Sequence, residues 1–335
     1  MPLPKSVNVA LKSWRRAFGE NTKIENWVKD RYLHSIATEV KKDSGKGWVQ
    51  YSGKSFVLVS ESDDFPEPRR GIVLKGGCDM PSVFTAAPLI REGIEGTVAI
   101  SRHIGGTGGN RSDQILQTLE DLPHEPVAET RRMLRLSRGY FEPTFWEPSF
   151  RLPHVPEAGE FNKDVIVLGI STDETRQLYR HREHGFLVDP GGWWLNQDLD
   201  RVLDDLTAVE WFRENFRRVG RLPIDEFRKN NTRLVTEIRD RIGAEVVFYN
   251  TMALDPANPT HNYQLVKTAH HVRRREFTIA LAELSQDLDF SIVDVDRILK
   301  LAGIEEQVDF AHFPVDRMMP IGAEAHRVFK DMGLV

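Results

Sequence analysis

The sequence predicts an α/β fold, a three-layer α/β/α sandwich around a five-stranded parallel sheet. Two observations carry that prediction. Short apolar, β-branched runs alternate with long helical patterns from residue 71 onward, as in a sheet built by crossover helices. The runs are apolar at successive positions, not alternate ones, so both faces of the sheet must be covered. Each run also ends in glycine or small polar residues, which places the chemistry at one edge.

The five strands are expected at Ile72–Leu74, Thr97–Ser101, Asp164–Ile170, Glu245–Tyr249 and Phe290–Val293. The intervening helical patterns cover Gln197–Arg218, Ile224–Ile242 and Tyr263–Gln286. Before them, Val7 to Lys41 reads as one or two amphipathic helices. Trp48–Tyr51 and Ser55–Val59 then flank Ser52-Gly53-Lys54 as a hairpin. The stretch Asp63-Asp64-Phe65-Pro66-Glu67-Pro68 closes this part. The chain therefore divides into an N-terminal helical and hairpin extension, 1–68, and an α/β domain, 69–335. Residues 120–160, rich in proline and aromatics, read as an ordered excursion over one edge of the sheet.

Composition bounds the function. With 335 residues, 40% hydrophobic, the chain can bury a substantial core. A net charge of -5, with acidic and basic residues interspersed, carries no electrostatic footprint for nucleic acid. The single cysteine excludes an internal disulfide or a thiolate metal cluster. Neither an apolar leader nor a run of membrane-spanning length occurs, so the expectation is a cytoplasmic protein with no membrane span. No oligomeric state is implied.

Five segments follow the predicted strands. They are Gly76-Gly77-Cys78-Asp79-Met80-Pro81-Ser82, the glycine-rich run from Arg102 to Asn110, Ser171-Thr172-Asp173-Glu174, Asn250-Thr251, and a late loop with Asp309-Phe310-Ala311-His312. An Asp three residues before a His lets one loop present both. The carboxylate can then fix the imidazole tautomer while the other ring nitrogen faces a nucleophile. Cys78, at a strand-to-helix turn, has two readings. A helix amino end and an imidazolium would favour its thiolate, whereas an isolated cysteine is ordinarily a small buried hydrophobe. Ser82 reads as a helix N-cap, and Asp173-Glu174 as acids in a first helical turn or as a carboxylate base or metal ligand at the mouth of the sheet. Gly105-Gly106-Thr107-Gly108-Gly109-Asn110 reads as a flexible turn or as a cradle of backbone amides for an anion, and it matches no phosphate-binding pattern. His181, His184, His270 and His271 have no metal-ligand spacing, and His270 to Arg275 reads as a solvated helix face. Trp193-Trp194 would seal a core or line a substrate site.

With these motifs in place, the chain from Gly71 to Val335 resembles the SGNH/GDSL hydrolase superfamily, in its branch whose first motif reads Gly-Ser-Cys. The resemblance implies a flavodoxin-like sheet order and ester chemistry. The expected reaction is hydrolysis or transfer of an acyl group such as acetyl on a carbohydrate-like or other hydroxylated substrate. It implies Cys78 at the nucleophile position, Asp309 and His312 as the supporting pair, and Gly77, Gly105, Gly106 and Ser171 on the oxyanion and substrate side. Asn250 joins them as a strand-end residue. No metal and no cofactor is called for. The first motif has neither the usual Asp nor the usual Ser, and Ser171 stands where an Asn is usual. The alternative is accordingly a catalytically inactive SGNH-like binding protein in polysaccharide assembly, and Ser82 or an activated water are the other candidate nucleophiles.

Overall fold

The computed structural model describes residues 39–43, 48–52, 56–62, 64–77, 80, 83, 95–102, 110–136, 138–152, 155–190, 199–203, 205–253, 270–302 and 315–333. All five expected parallel strands form. They are β4 (Arg69–Lys75), β5 (Thr97–Ser101), β7 (Glu160–Gly169), β11 (Glu245–Tyr249) and β12 (Ser291–Val293). Pairing is parallel throughout, in the spatial order β5-β4-β7-β11-β12. In chain order that is second, first, third, fourth, fifth, a doubly wound arrangement that changes direction beside β4.

The sheet is larger than the five strands expected. It has nine strands, because β1 (Glu39–Asp43), β2 (Trp48–Ser52) and β3 (Phe56–Ser60) continue it antiparallel beyond β5, and β6 (Ser149–Arg151) pairs antiparallel with the start of β7. The predicted hairpin is thus hydrogen-bonded into the central sheet: Leu58 pairs with Ala99, and both are fully buried. Residues 39–41, expected in a helix, belong to β1. Glu39-Val40-Lys41 pairs antiparallel with Ser52-Tyr51-Gln50 of β2, and the earlier helical pattern lies outside the described residues.

Side chains alternate between two apolar layers with the strand period of two. Val73, Ala99, Ile166, Leu168, Val246 and Phe248 face one side, where helices α6 (Ile224–Ile242) and α7 (His270–Leu288) contribute Phe227, Leu234, Phe277 and Leu281. Ile72, Leu74, Val98, Val165, Val167 and Val247 face the other. There, helices α8 (Val295–Ala302) and α9 (Val315–Asp331) contribute Leu299, Ile321 and Phe329. This alternation explains the continuous apolar strands. Phe145, Trp146, Phe150 and Leu152 bring the proline-rich excursion into the first layer.

A second, three-stranded sheet was not foreseen. Its strands are β8 (Leu178–His181), β9 (Leu187–Val188) and β10 (Phe216–Gly220), in the order β10-β8-β9. The pattern expected as one helix over 197–218 divides into α4 (Leu199–Leu203), α5 (Leu206–Asn215) and β10. Asp205 restarts the helix, accepting from the Thr207 and Ala208 amides at 3.0 and 3.4 Å. Phe216 then leaves it to stack on Phe212 and pair opposite His181. Helices α1 (Ser112–Leu116), α2 (His124–Leu134) and α3 (Ser171–Thr175) complete the elements used below.

Candidate functional site

Parallel pairing brings the carboxyl ends of the five strands to one edge, and backbone contacts there join consecutive ends. The Gly76 and Gly169 backbones pack so closely that a Cβ on Gly76 would lie 2.8 Å from the Gly169 Cα, which requires glycine at this contact. The Ile170 amide donates to Tyr249 O at 3.2 Å, and the Asn250 amide to Val293 O at 3.4 Å.

Of the residues expected at the site, Gly77, Ser171 and Asn250 lie on this edge. Gly77 follows β4, with its amide beside Gly169. Ser171 is half-buried and opens α3. Asn250 is 1% exposed, and both ends of its amide are engaged. Its Nδ2 donates to Asp294 Oδ1 at 2.8 Å, while its Oδ1 accepts from the Val295 and Asp296 amides at 2.7 and 3.4 Å. Asn250 therefore caps α8 and holds the corner where β11 and β12 end. Cys78, Ser82, Gly105, Gly106, Asp309, His312 and the Trp193-Trp194 pair lie outside the described residues, as does any distance between Cys78 and His312.

Beneath the edge is a buried polar network. Asp173 accepts from the Ser112 amide at 2.7 Å and from Asn231 Nδ2 at 3.4 Å. Burial raises its pKa to about 6, against the lowering effect of the Ser112 amide. Glu174 is fully buried and accepts from Thr251 Oγ1 at 2.7 Å on each oxygen. Burial lifts it to about 7, although the neighbouring Arg274 cation and the Thr251 hydroxyl pull it down. Acids in a first helical turn were expected here, but their donors come from α1, α6 and the β11 end as well as from α7. The pair thus ties four segments together.

The arginines of α7 complete this knot. Arg273 donates from Nε to Glu174 O at 2.6 Å, and from Nη2 to Leu222 O at 2.5 Å, with its guanidinium 4.3 Å from the Phe277 ring centre. Arg274 is 4% exposed and donates to Met252 O at 3.0 Å. The expectation of a solvated face over 270–275 is corrected at these two positions. The signal was present: Arg274, Phe277, Leu281 and Leu284 are spaced three and four apart, on one buried helix face.

Lys75 was also missed. It continues the alternation of β4 onto the Val73 side, is 3% exposed, and lies 5.7 Å above the Phe145 ring. Burial, with Lys163 nearby, lowers its pKa to about 7. Lys75, Asn110, Ser112, Thr172, Asp173 and Asn231 form the polar part of the lining of a small cavity under the mouth of the sheet, with Ile115, Leu168, Leu234 and Phe248 among its apolar part. Of the histidines, His181 stacks on Phe186 and accepts the His184 amide on Nδ1 at 3.2 Å. No group of three metal-ligating side chains occurs among the described residues. Nor is any helix among them long and apolar enough to cross a membrane.

No protein-family model matches the chain, and no curated protein matches it in sequence. Among solved structures, a mutant acetyl-xylooligosaccharide esterase from Geobacillus Stearmophilus is similar at 11% identity and a TM-score of 0.33, over 79% of this chain and 95% of that one.

Proposed function

We propose that this protein is an ester hydrolase or acyl transferase of the SGNH kind, acting on a carbohydrate-like or otherwise hydroxylated substrate. One observation carries the reading. The strand that runs into Gly76-Gly77-Cys78 is central to a parallel sheet ordered second, first, third, fourth, fifth, so Cys78 follows a strand end at the topological switch point, where such sheets bind ligands. Helix α9 adds support. Arg70 Nη1, at the amino end of β4, donates to Gly333 O at 2.9 Å just past the end of α9. A helix of 17 residues spans about 25 Å, so α9 starts on the carboxyl side of the sheet. The segment with Asp309 and His312 leads directly into that start.

In this reading Cys78 attacks the ester carbonyl, His312 takes the proton, and Asp309 holds the imidazole tautomer. Amides at Gly77, Gly105 and Gly106 stabilise the oxyanion, with Ser171 on the substrate side and Asn250 holding the adjoining corner. His312 returns that proton to the alcohol oxygen as the ester C–O bond breaks, and the acyl group then passes from the Cys78 sulfur to water or to an acceptor hydroxyl, which restores the thiol. The test is turnover of 4-nitrophenyl acetate and of acetylated oligosaccharides by the parent, Cys78→Ala, His312→Ala and the double variant. Members of one catalytic unit are expected to lose activity to nearly the same residual level singly and together. Activity retained in Cys78→Ala but lost in His312→Ala moves the nucleophile to Ser82 or water. A parent inert towards every ester favours the binding-protein alternative, which the altered first motif supports.

A further inference from the structure

We propose that the ribbon formed by β8 and β10 docks a carboxylated polysaccharide chain. Naming a glycan as the partner rests on the ester reading above. The docking surface itself rests on an arrangement of arginines. Arg217 pairs directly opposite Arg180, and the Arg182 amide donates to Asn215 O at 2.8 Å, continuing the same pairing. With the strand period of two, Arg180, Arg182 and Arg217 share one face, while His181 and Phe216 pack against the aromatic cluster on the other. Directly opposed side chains sit about 5 Å apart at Cβ, and like charges at that spacing destabilise a sheet.

None of these three arginines is in an ion pair among the described residues. Arg180 donates to Gly185 O at 2.8 Å and Arg182 to Arg213 O at 3.5 Å, contacts that orient a guanidinium without neutralising it. Neighbouring arginines are neutralised: Arg213 pairs with Asp200 at 2.8 Å and Arg176 with Asp189 at 2.5 Å. Three arginines without an ion-pair partner among the described residues thus share one face of a small ribbon, beside Glu183 at its turn. Guanidinium groups recognise carboxylates in bidentate fashion, and closely spaced arginines suit a polymer with regularly repeated carboxylates.

Single-stranded nucleic acid fits less well, because it needs exposed aromatic faces for base stacking. The aromatics here are committed inward: Tyr179 packs on Phe212 and Trp211 on Phe216.

The test compares binding of polygalacturonate, neutral xylan and polyuridylate, by affinity electrophoresis and calorimetry on the full chain. Polygalacturonate is expected to bind tightest and to weaken with added salt. The Arg182→Glu, Arg217→Glu double variant is expected to lose about tenfold or more in affinity with an unchanged melting temperature. Arg217→Lys is expected to fall between the parent and the charge reversal, since it keeps the charge but loses the bidentate fork. If the charge reversals unfold the protein, Arg182→Ser with Arg217→Ser reads the same loss. Equal binding of xylan, tighter binding of polyuridylate, no binding by the parent, or undiminished binding by the variants overturns the proposal. Turnover of 4-nitrophenyl acetate, recorded in parallel, separates the two readings. An inert protein that still binds through these arginines removes the esterase and leaves the surface, and an active esterase indifferent to polygalacturonate does the reverse.

Discussion

Glu174 and Arg274 form an ion pair inside the protein, Oε2 to Nε 3.5 Å, with side chains 0% and 4% exposed. It is the most deeply buried charge pair among the described residues, and it links the segment after the third parallel strand to the first turns of α7. Desolvation makes such a pair expensive, so its worth lies in what is lost when one partner is removed.

Arg274→Met is therefore expected to destabilise the fold most above about pH 8, by up to about 3–5 kcal/mol, because it removes the nearest cation from a buried carboxylate that is then ionised. The loss shrinks at about pH 5, where a carboxyl already raised to about 7 is protonated and needs no partner. Adding Glu174→Gln recovers much of the stability. Urea unfolding of the three variants at both pH values checks this. An equal loss at both would mean that Arg274 acts through packing and its bond to Met252 alone.

The buried lysines give stability a pH dependence of opposite sense. Lys75 is lowered to about 7 and Lys163 to about 8, each mainly by burial. Between those values and the ordinary lysine range, the unfolded chain holds protons that the folded chain has released, so stability climbs as pH rises. Below about pH 7 Lys75 is protonated in both states, and its burial penalty is felt in full. Asp173 and Glu174, raised to about 6 and about 7, act in the other direction. The folded chain keeps their protons longer, so their contribution falls as pH rises from about 4 to 7. Lys75→Met should accordingly be more stable than the parent near pH 6 by on the order of a few kcal/mol, with the gap closing towards pH 10. A gap independent of pH would mean that Lys75 is not buried as a cation.

Much of the architecture was legible in the sequence because the physics behind it is local and repeated. Five apolar runs such as Asp164–Ile170 and Glu245–Tyr249 admit only a doubly covered sheet, and α6 forms over Ile224–Ile242 as its amphipathic pattern requires. The additions depend on pairing at long range. Phe56–Ser60 reads as half of a hairpin, and only the exposed side of β5 makes it part of the main sheet. Phe216–Gly220 continues a helical pattern, and only β8 turns it into a strand. Polar burial was the least legible. Lys75 and Arg274 sit at positions where the strand and helix periods place core residues, but their charge pointed outward until their partners on other segments were known.

Asn250 offers a test of whether a strand-end residue contributes chemistry or architecture. Its amide oxygen serves two α8 amides and its nitrogen serves Asp294. Asn250→Ala should cost about 1–3 kcal/mol, as for a lost cap whose partners stay buried. Turnover per folded molecule should remain within about threefold of the parent, because one missing oxyanion donor would cost far more. Chemical denaturation and the acetyl-ester assay on the same preparation separate the two quantities. A loss of about a hundredfold in turnover with stability unchanged would return Asn250 to the oxyanion site.

The nucleophile can be read through its own reactivity, because Cys78 is the single cysteine of the chain and every alkylation event reports on it. In the proposed site, a thiol at a helix amino end and beside an imidazolium would be held partly as thiolate near neutral pH. Its reaction with iodoacetamide at about pH 7 should then exceed that of an ordinary cysteine, of pKa about 8.5, by about tenfold. His312→Ala removes the cation and should slow the reaction, moving its pH midpoint upward towards the free-thiol value. Asp309→Ala should move the midpoint in the same direction by less, since it weakens the imidazolium without removing it. A cysteine sealed under the sheet would behave otherwise. It would stay inert in the native protein, become reactive only on unfolding, and be indifferent to both variants. That outcome would retire the cysteine mechanism and leave Ser82 or water to attack the ester.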